Sequence, residues 1–189
     1  MKLLNTLFFM AFVSFLMAGN GPTTDKSVNT STSKLTWKAN KVVGSHEGVI
    51  TLKKGTLKFD GKNLTGGSFV IDMTTIDCTD LSGGTKDKLV GHLKSDDFFG
   101  VAKFAESTFN ITQVKTTKPG SYSITGDLTL KGITDEITFD AVVVGNTATA
   151  TIKVDRTKYD IKYGSGSFFS DLGDKAIKNE FDLNIALNF

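Results

Sequence analysis

The sequence predicts an all-β domain of about eight antiparallel strands, and three observations carry that prediction. From Leu35 to the C-terminus, apolar and polar residues alternate with a period of two, the mark of strands with one dry and one wet face. Turn-forming words separate the alternating runs: Asp60-Gly61-Lys62-Asn63, Lys118-Pro119-Gly120, Lys131-Gly132 and Gly145-Asn146. The composition of 15 Phe, 19 Gly and 2 Pro asks for a large apolar interior bounded by many tight turns.

The N-terminus comes first. One lysine, Lys2, precedes an apolar run from Leu7 to Met17, followed by small Ala18, Gly19 and Gly21. This pattern predicts a secretory signal peptide over residues 1–21 and a flexible polar leader over 22–34. The run is shorter than the roughly 20 residues a membrane span needs. Asn20 stands where a lipoprotein would need its acylated cysteine, so no stable membrane anchor is expected. The expected location is periplasmic or secreted, in a bacterial extracytoplasmic setting.

The rest is close to neutral. The chain has 22 Lys+Arg and 20 Asp+Glu, with no clustered basic face of the kind that grips nucleic-acid phosphates. The lone Cys78 excludes an internal disulfide and cysteine-rich zinc cages.

The strands are then expected at Leu35–Ala39, Val49–Phe59 with a bend at Gly55, Leu64–Ile76, Phe104–Val114, Tyr122–Leu130, Thr134–Val144, Thr147–Val154 and Asn179–Phe189. Short connections make neighbours antiparallel. Such a set closes into a barrel or folds over as a sandwich. One segment breaks the period: Thr85 to Phe98 places Leu89, Leu93 and Phe98 at helical spacing, predicting one or two short helices. Ser95 reads as the N-cap of the second turn, with Asp96 and Asp97 at its positive end.

Three motifs carry residues of the kinds that do chemistry. His92 with Asp96 or Asp97 resembles a base and its orienter, but no nucleophile accompanies them. His46 and His92 lack the spacing of a zinc motif. Gly164 to Phe169 makes a poor phosphate loop, and reads as a flap with two exposed aromatics or as a plain surface loop. No catalytic or metal residue is assigned.

Four words add a resemblance. They are HLKSDDFFGVAKF (His92–Phe104), STFNIT (Ser107–Thr112), YSITGDLTLKGITDEITFDA (Tyr122–Ala141) and IKVDRTKYDIKYG (Ile152–Gly164). In this order they resemble the YceI-like family of exported bacterial lipid-binding proteins, over about Trp37 to Phe189. The resemblance implies an extended, lipocalin-like eight-stranded antiparallel barrel over residues 35–189. It also implies an apolar lumen for a long polyisoprenoid or quinone tail, and no catalysis or cofactor. Ala105 departs from the proline common in the family, and the path from Trp37 to Val49 is shorter than in many relatives.

Strand parity supplies the candidate lumen: Phe69, Ile71, Met73, Phe109, Ile111, Tyr122, Ile124, Leu128, Phe139, Ala141, Ala150, Ile152, Phe181, Leu183 and Ile185. Phe98, Phe99, Phe168 and Phe169 are candidates for a mouth or flap. Small inward residues, Gly126, Ala141, Ala148 and Ala150, are read as opening space along the tube. The competing readings are a solid-cored structural barrel and a histidine-dependent metal protein. Exposed strand edges and the flap leave a homodimer open.

Overall fold

The structure is a computed structural model and describes residues 23–189; the signal-peptide reading falls on residues outside that range. Nine strands form one antiparallel sheet: β1 (Thr23–Ser27), β2 (Lys34–Lys41), β3 (Ser45–Asp60), β4 (Asn63–Cys78), β5 (Glu106–Lys118), β6 (Ser121–Leu130), β7 (Ile133–Val144), β8 (Thr147–Asp155) and β9 (Ile177–Asn188). Strands β2 to β9 pair with their sequence neighbours, and β9 pairs back onto β2. The expected eight-stranded barrel is therefore closed, and sandwich packing is excluded.

Register explains the closure. Leu35 faces Ile185, Trp37 faces Leu183, and Ala39 faces Phe181 across the β2–β9 seam. Around the sheet, Phe69 meets Phe109, Phe109 meets Leu128, Ile124 meets Phe139, and Ile152 meets Leu183. Each pair points inward. A one-residue slip would turn every such side chain to water, so the apolar pattern locks the register. The outward positions of β6 are Ser121, Ser123, Thr125, Asp127 and Thr129.

The polar leader is a correction. Its Thr23–Ser27 stretch is strand β1, lying along β3 from Thr56 to Asp60 on the edge that β2 covers from Ser45 to Ile50. Val28 is buried behind it. The leader is then latched to the C-terminal strand: Asn29 N–H donates to Asn188 O at 2.7 Å, and Asn188 Nδ2 donates to Thr32 O at 2.6 Å. The stretch TTDKS has no apolar alternation because both of its faces stay largely wet. Its strand comes from the unpaired edge of β3.

The helix α1 runs Gly83–Lys94 and joins β4 to β5. Three glycines make it a poor helix in isolation, so packing holds it: Leu93 is buried, and Leu89 and Val90 are half-buried against the core. Ser95 closes this helix and does not open a second one. Its N–H and hydroxyl both bond back to His92 O, at 3.1 and 2.8 Å. Residues 96–99 then form turns, and β5 begins at Glu106, two residues later than the period suggests. Two short 3-10 turns, Arg156–Tyr159 and Gly173–Lys175, lie between β8 and β9.

The up-and-down order gives the barrel two distinct ends. The upper end carries the β2–β3 hairpin, α1, the β6–β7 turn and the β8–β9 connection. The lower end carries the β3–β4, β5–β6 and β7–β8 hairpins.

Candidate ligand-binding lumen

Two apolar cavities lie end to end inside the barrel. The lower one encloses about 770 Å³ and the upper one about 750 Å³, open mouth space included. Ile71, Leu128, Val154 and Leu183 border both, forming a waist where the cavities meet.

Most of the parity-derived residues come together here. Phe69, Phe109, Ile111, Ile124, Phe139, Ala141, Ala150, Ile152 and Ile185 line the lower cavity. Met73 and Phe181 line the upper one, with Phe98 and Phe99 closing its side. Ile71, Leu128 and Leu183 are the waist residues already named. Tyr122 lines neither: it is buried, and its hydroxyl lies 3.4 Å from the donating N–H of Leu64. Phe168 and Phe169 also lie outside both cavities, about half exposed at the surface.

The small residues divide. Ala141, Ala148 and Ala150 line the lower cavity. Gly126 does not open space, because a Cβ there would fall 2.5 Å from the Phe109 ring. That ring occupies the room that the absent side chain leaves.

Several lining residues escape a parity reading. Leu93 and Arg156 reach the upper cavity from α1 and the β8–β9 connection, where no strand period operates, and Ile177 and Lys178 reach it from the first two residues of β9, ahead of the alternating run that the sequence shows from Asn179. Arg156 is buried, with only 2% of its surface exposed. Its guanidinium donates to three carbonyls: Nε to Lys178 O at 3.1 Å, Nη1 to Ile161 O at 2.7 Å, and Nη2 to Ile177 O at 3.1 Å. The Phe98 ring covers it at 5.7 Å. Burial pushes its pKa down, with nearby Asp155 opposing, yet a guanidinium keeps its proton. The charge is spent on fastening the β8–β9 connection over the upper end.

The two histidines sit in separate settings. His46 Nδ1 lies 2.9 Å from Asp80 Oδ2 at the start of β3. His92 packs edge-on against Tyr163 and Phe98 at 4.3 and 5.6 Å. Among the described residues no group of three or more His, Cys, Asp or Glu side chains is placed to hold a metal. Cys78 is fully buried. Burial raises its thiol pKa, and the Asp80 carboxylate that it faces at 3.0 Å raises it further.

Comparison with known proteins settles the family. The model of the YceI-like domain matches residues 27–189. The chain belongs to the YceI-like family. Among curated relatives, a UPF0312 protein of Vibrio campbellii is 39% identical over 93 residues, which is 48% of this chain and 46% of the relative. Protein YceI of Escherichia coli O157:H7 is 39% identical over 92 residues, 48% of this chain and 45% of that protein. The matched stretch thus spans about half the length of these relatives. Among solved structures, Burkholderia cenocepacia BcnA superposes with a TM-score of 0.67 at 21% identity, covering 85% of this chain and 98% of that one. A polyisoprenoid binding domain from Saccharophagus degradans gives 0.57 at 12% identity, covering 85% and 95%. At these identities the solved structures speak for the fold. Family and fold are consistent with an apolar ligand held in the barrel lumen.

Proposed function

We propose that this protein binds a long-chain apolar lipid, of the polyisoprenoid or isoprenoid-quinone class, in the barrel lumen, and stores or carries it outside the cytoplasm without catalysis. One observation carries the reading: two apolar cavities share a waist along the barrel and add up to an elongated slot. A slender, methyl-branched tail suits that shape. Each CH₂ it buries contributes about 0.8 kcal/mol, so a tail of many carbons binds without a polar contact. The family membership and the polyisoprenoid-binding domain among the structural neighbours support the same ligand class.

The test is the mass of the lipid that co-purifies with the protein from its native host, followed by quinone uptake. Inward Phe139→Asp places a carboxylate in the lower cavity and is expected to abolish uptake; outward Thr129→Asp is expected to leave it intact. Native protein that carries no lipid and takes up neither quinone nor polyprenol overturns the proposal.

A further inference from the structure

The wall of the barrel is split on one side. Strand β7 pairs with β6 from Ile133 to Val142, and β8 pairs with β9 from Thr147 to Asp155. Between themselves β7 and β8 pair at only four positions, from Ala141 and Ala150 down to Val144 and Thr147. Among the described residues no ladder joins residues 134–140 to residues 151–155. The 3-10 turn Arg156–Tyr159 covers the top of the split, where Lys158 Nζ meets Asp135 Oδ2 at 2.9 Å and Tyr159 is fully buried. Lower down, the outward side chains bond away from it. Thr138 bonds Thr125 of β6, Thr151 bonds Asn184 of β9, and Lys153 pairs with Asp182 of β9. A window is left between residues 138–140 and residues 151–153.

Two observations show that the lower cavity reaches this window. Ile137 and Phe139, inward on β7, are only half-buried, whereas Tyr122, Ile124, Leu128 and Leu130, inward on the fully paired β6, are all buried. Thr149 of β8 stands exposed on the wet face, beside the last ladder pair, and still lines the lower cavity.

The other ways in are stopped. The β4–β5 ladder also ends early, at Ser68 and Asn110. There the buried Tyr122 takes up the gap with its hydroxyl on the Leu64 N–H, and Ile111 closes over Gly67, where a Cβ would fall 3.3 Å from Ile111 Cδ1. At the lower end the Phe59 and Phe189 rings meet at 5.5 Å under Lys26, outside the lower cavity. At the upper end Phe98 and Phe99 are buried, and Arg156 fastens the β8–β9 connection. Passage through either end breaks hydrogen bonds or displaces buried rings. At the β7–β8 window the strand edges already give their backbone groups to water, so local opening there breaks no ladder.

We propose that the ligand enters and leaves sideways, through the window between β7 and β8, with Phe139 and Ile152 as its inner frame. This inference rests on the lipid-carrier reading above for its purpose and on the split alone for its geometry.

The test is the rate at which a short-chain quinone loads from solution, read by quenching of Trp37, the chain's one tryptophan, which lines the upper cavity. In D140C/T151C the new thiols stand one position above the last ladder pair, and their disulfide holds the window shut. In V144C/T147C they stand at a pair already inside the ladder. Cys78 is fully buried and stays out of both bonds. Oxidised D140C/T151C is expected to load about tenfold more slowly than the wild type and to recover on reduction. Oxidised V144C/T147C is expected to load as the wild type does. Phe139→Ala removes the largest side chain at the window and is expected to load faster. Oxidised D140C/T151C that loads at the wild-type rate, or Phe139→Ala that loads no faster, overturns the portal and keeps the carrier. A wild type that takes up no quinone removes the carrier reading, and the portal with it.

Discussion

Ala141 of β7 stands directly opposite Ala150 of β8, and the ladder between the strands runs only from that pair to Val144 and Thr147. Above it β8 continues to Asp155 without pairing to β7. Both alanines line the lower cavity. Their small side chains leave unfilled volume where the strands part. Ala150→Phe is therefore expected to fold normally, with stability changed by no more than about 1 kcal/mol, because the ring enters vacant space. Uptake of a long-tailed quinone is expected to fall about tenfold or more, since the ring excludes several CH₂ groups. Urea unfolding beside a quinone titration checks both. A destabilisation of about 1–3 kcal/mol with uptake unchanged would mean that the core is already full.

Gly126 makes the opposite prediction at a nearby position. A Cβ at 126 would lie 2.5 Å from both Asn110 O and the Phe109 ring. The carbonyl belongs to the paired strand and cannot yield cheaply. Gly126→Ala is expected to cost about 1–3 kcal/mol, seen as a lower urea midpoint at unchanged slope. Trimming the ring in F109L/G126A is expected to recover part of that loss.

These two positions show how far the sequence could be read. Period-two alternation located eight strands and told which side chains point inward, because a closed sheet leaves each residue only two directions. It could not tell which inward small residue faces a void and which faces a ring: Ala150 and Gly126 look alike in sequence. Strand β1 was hidden for a different reason. Its TTDKS has no dry face, and its order comes from the free edge of β3. The upper cavity's closure was hidden as well, since Arg156 reaches it from a connection without periodicity and Ile177 from the first residue of β9, ahead of the visible alternation.

Arg156 tests that closure. Its three carbonyl partners come from Ile161, Ile177 and Lys178, so one side chain ties the start of the β8–β9 connection to its end. Lysine keeps the charge but not the planar fork. Arg156→Lys is expected to cost about 2–3 kcal/mol, in the range for buried charged hydrogen bonds. Amide exchange is expected to quicken first between residues 161 and 178, ahead of the β5–β6 ladder. Uniform loss of protection across the barrel would show that Arg156 supports the whole fold and not this connection.

Asp80 sets an acid limit on the upper corner. Burial alone would raise its pKa, but donors outweigh that cost: the Cys78 thiol, the Glu47 N–H at 3.1 Å and His46 together hold the carboxyl down to about 2 from an ordinary 3.8. A depressed carboxylate pKa stabilises the fold above the unfolded value and ceases to do so as pH falls through the folded one. The contribution is thus complete near neutrality and fades between about pH 4 and pH 2. Asp72 and Asp77, held low by the Thr74 hydroxyl and Lys86, add to the same acid loss. The informative comparison is therefore a difference between proteins. The side chain is 27% exposed, so solvent screening trims the effect to about 1 kcal/mol. Asp80→Asn is expected to be less stable than the wild type by about that amount at pH 7, with the gap closing towards pH 2. Urea midpoints measured along that pH series check it, and a gap that stays constant with pH would assign the loss to packing and not to charge.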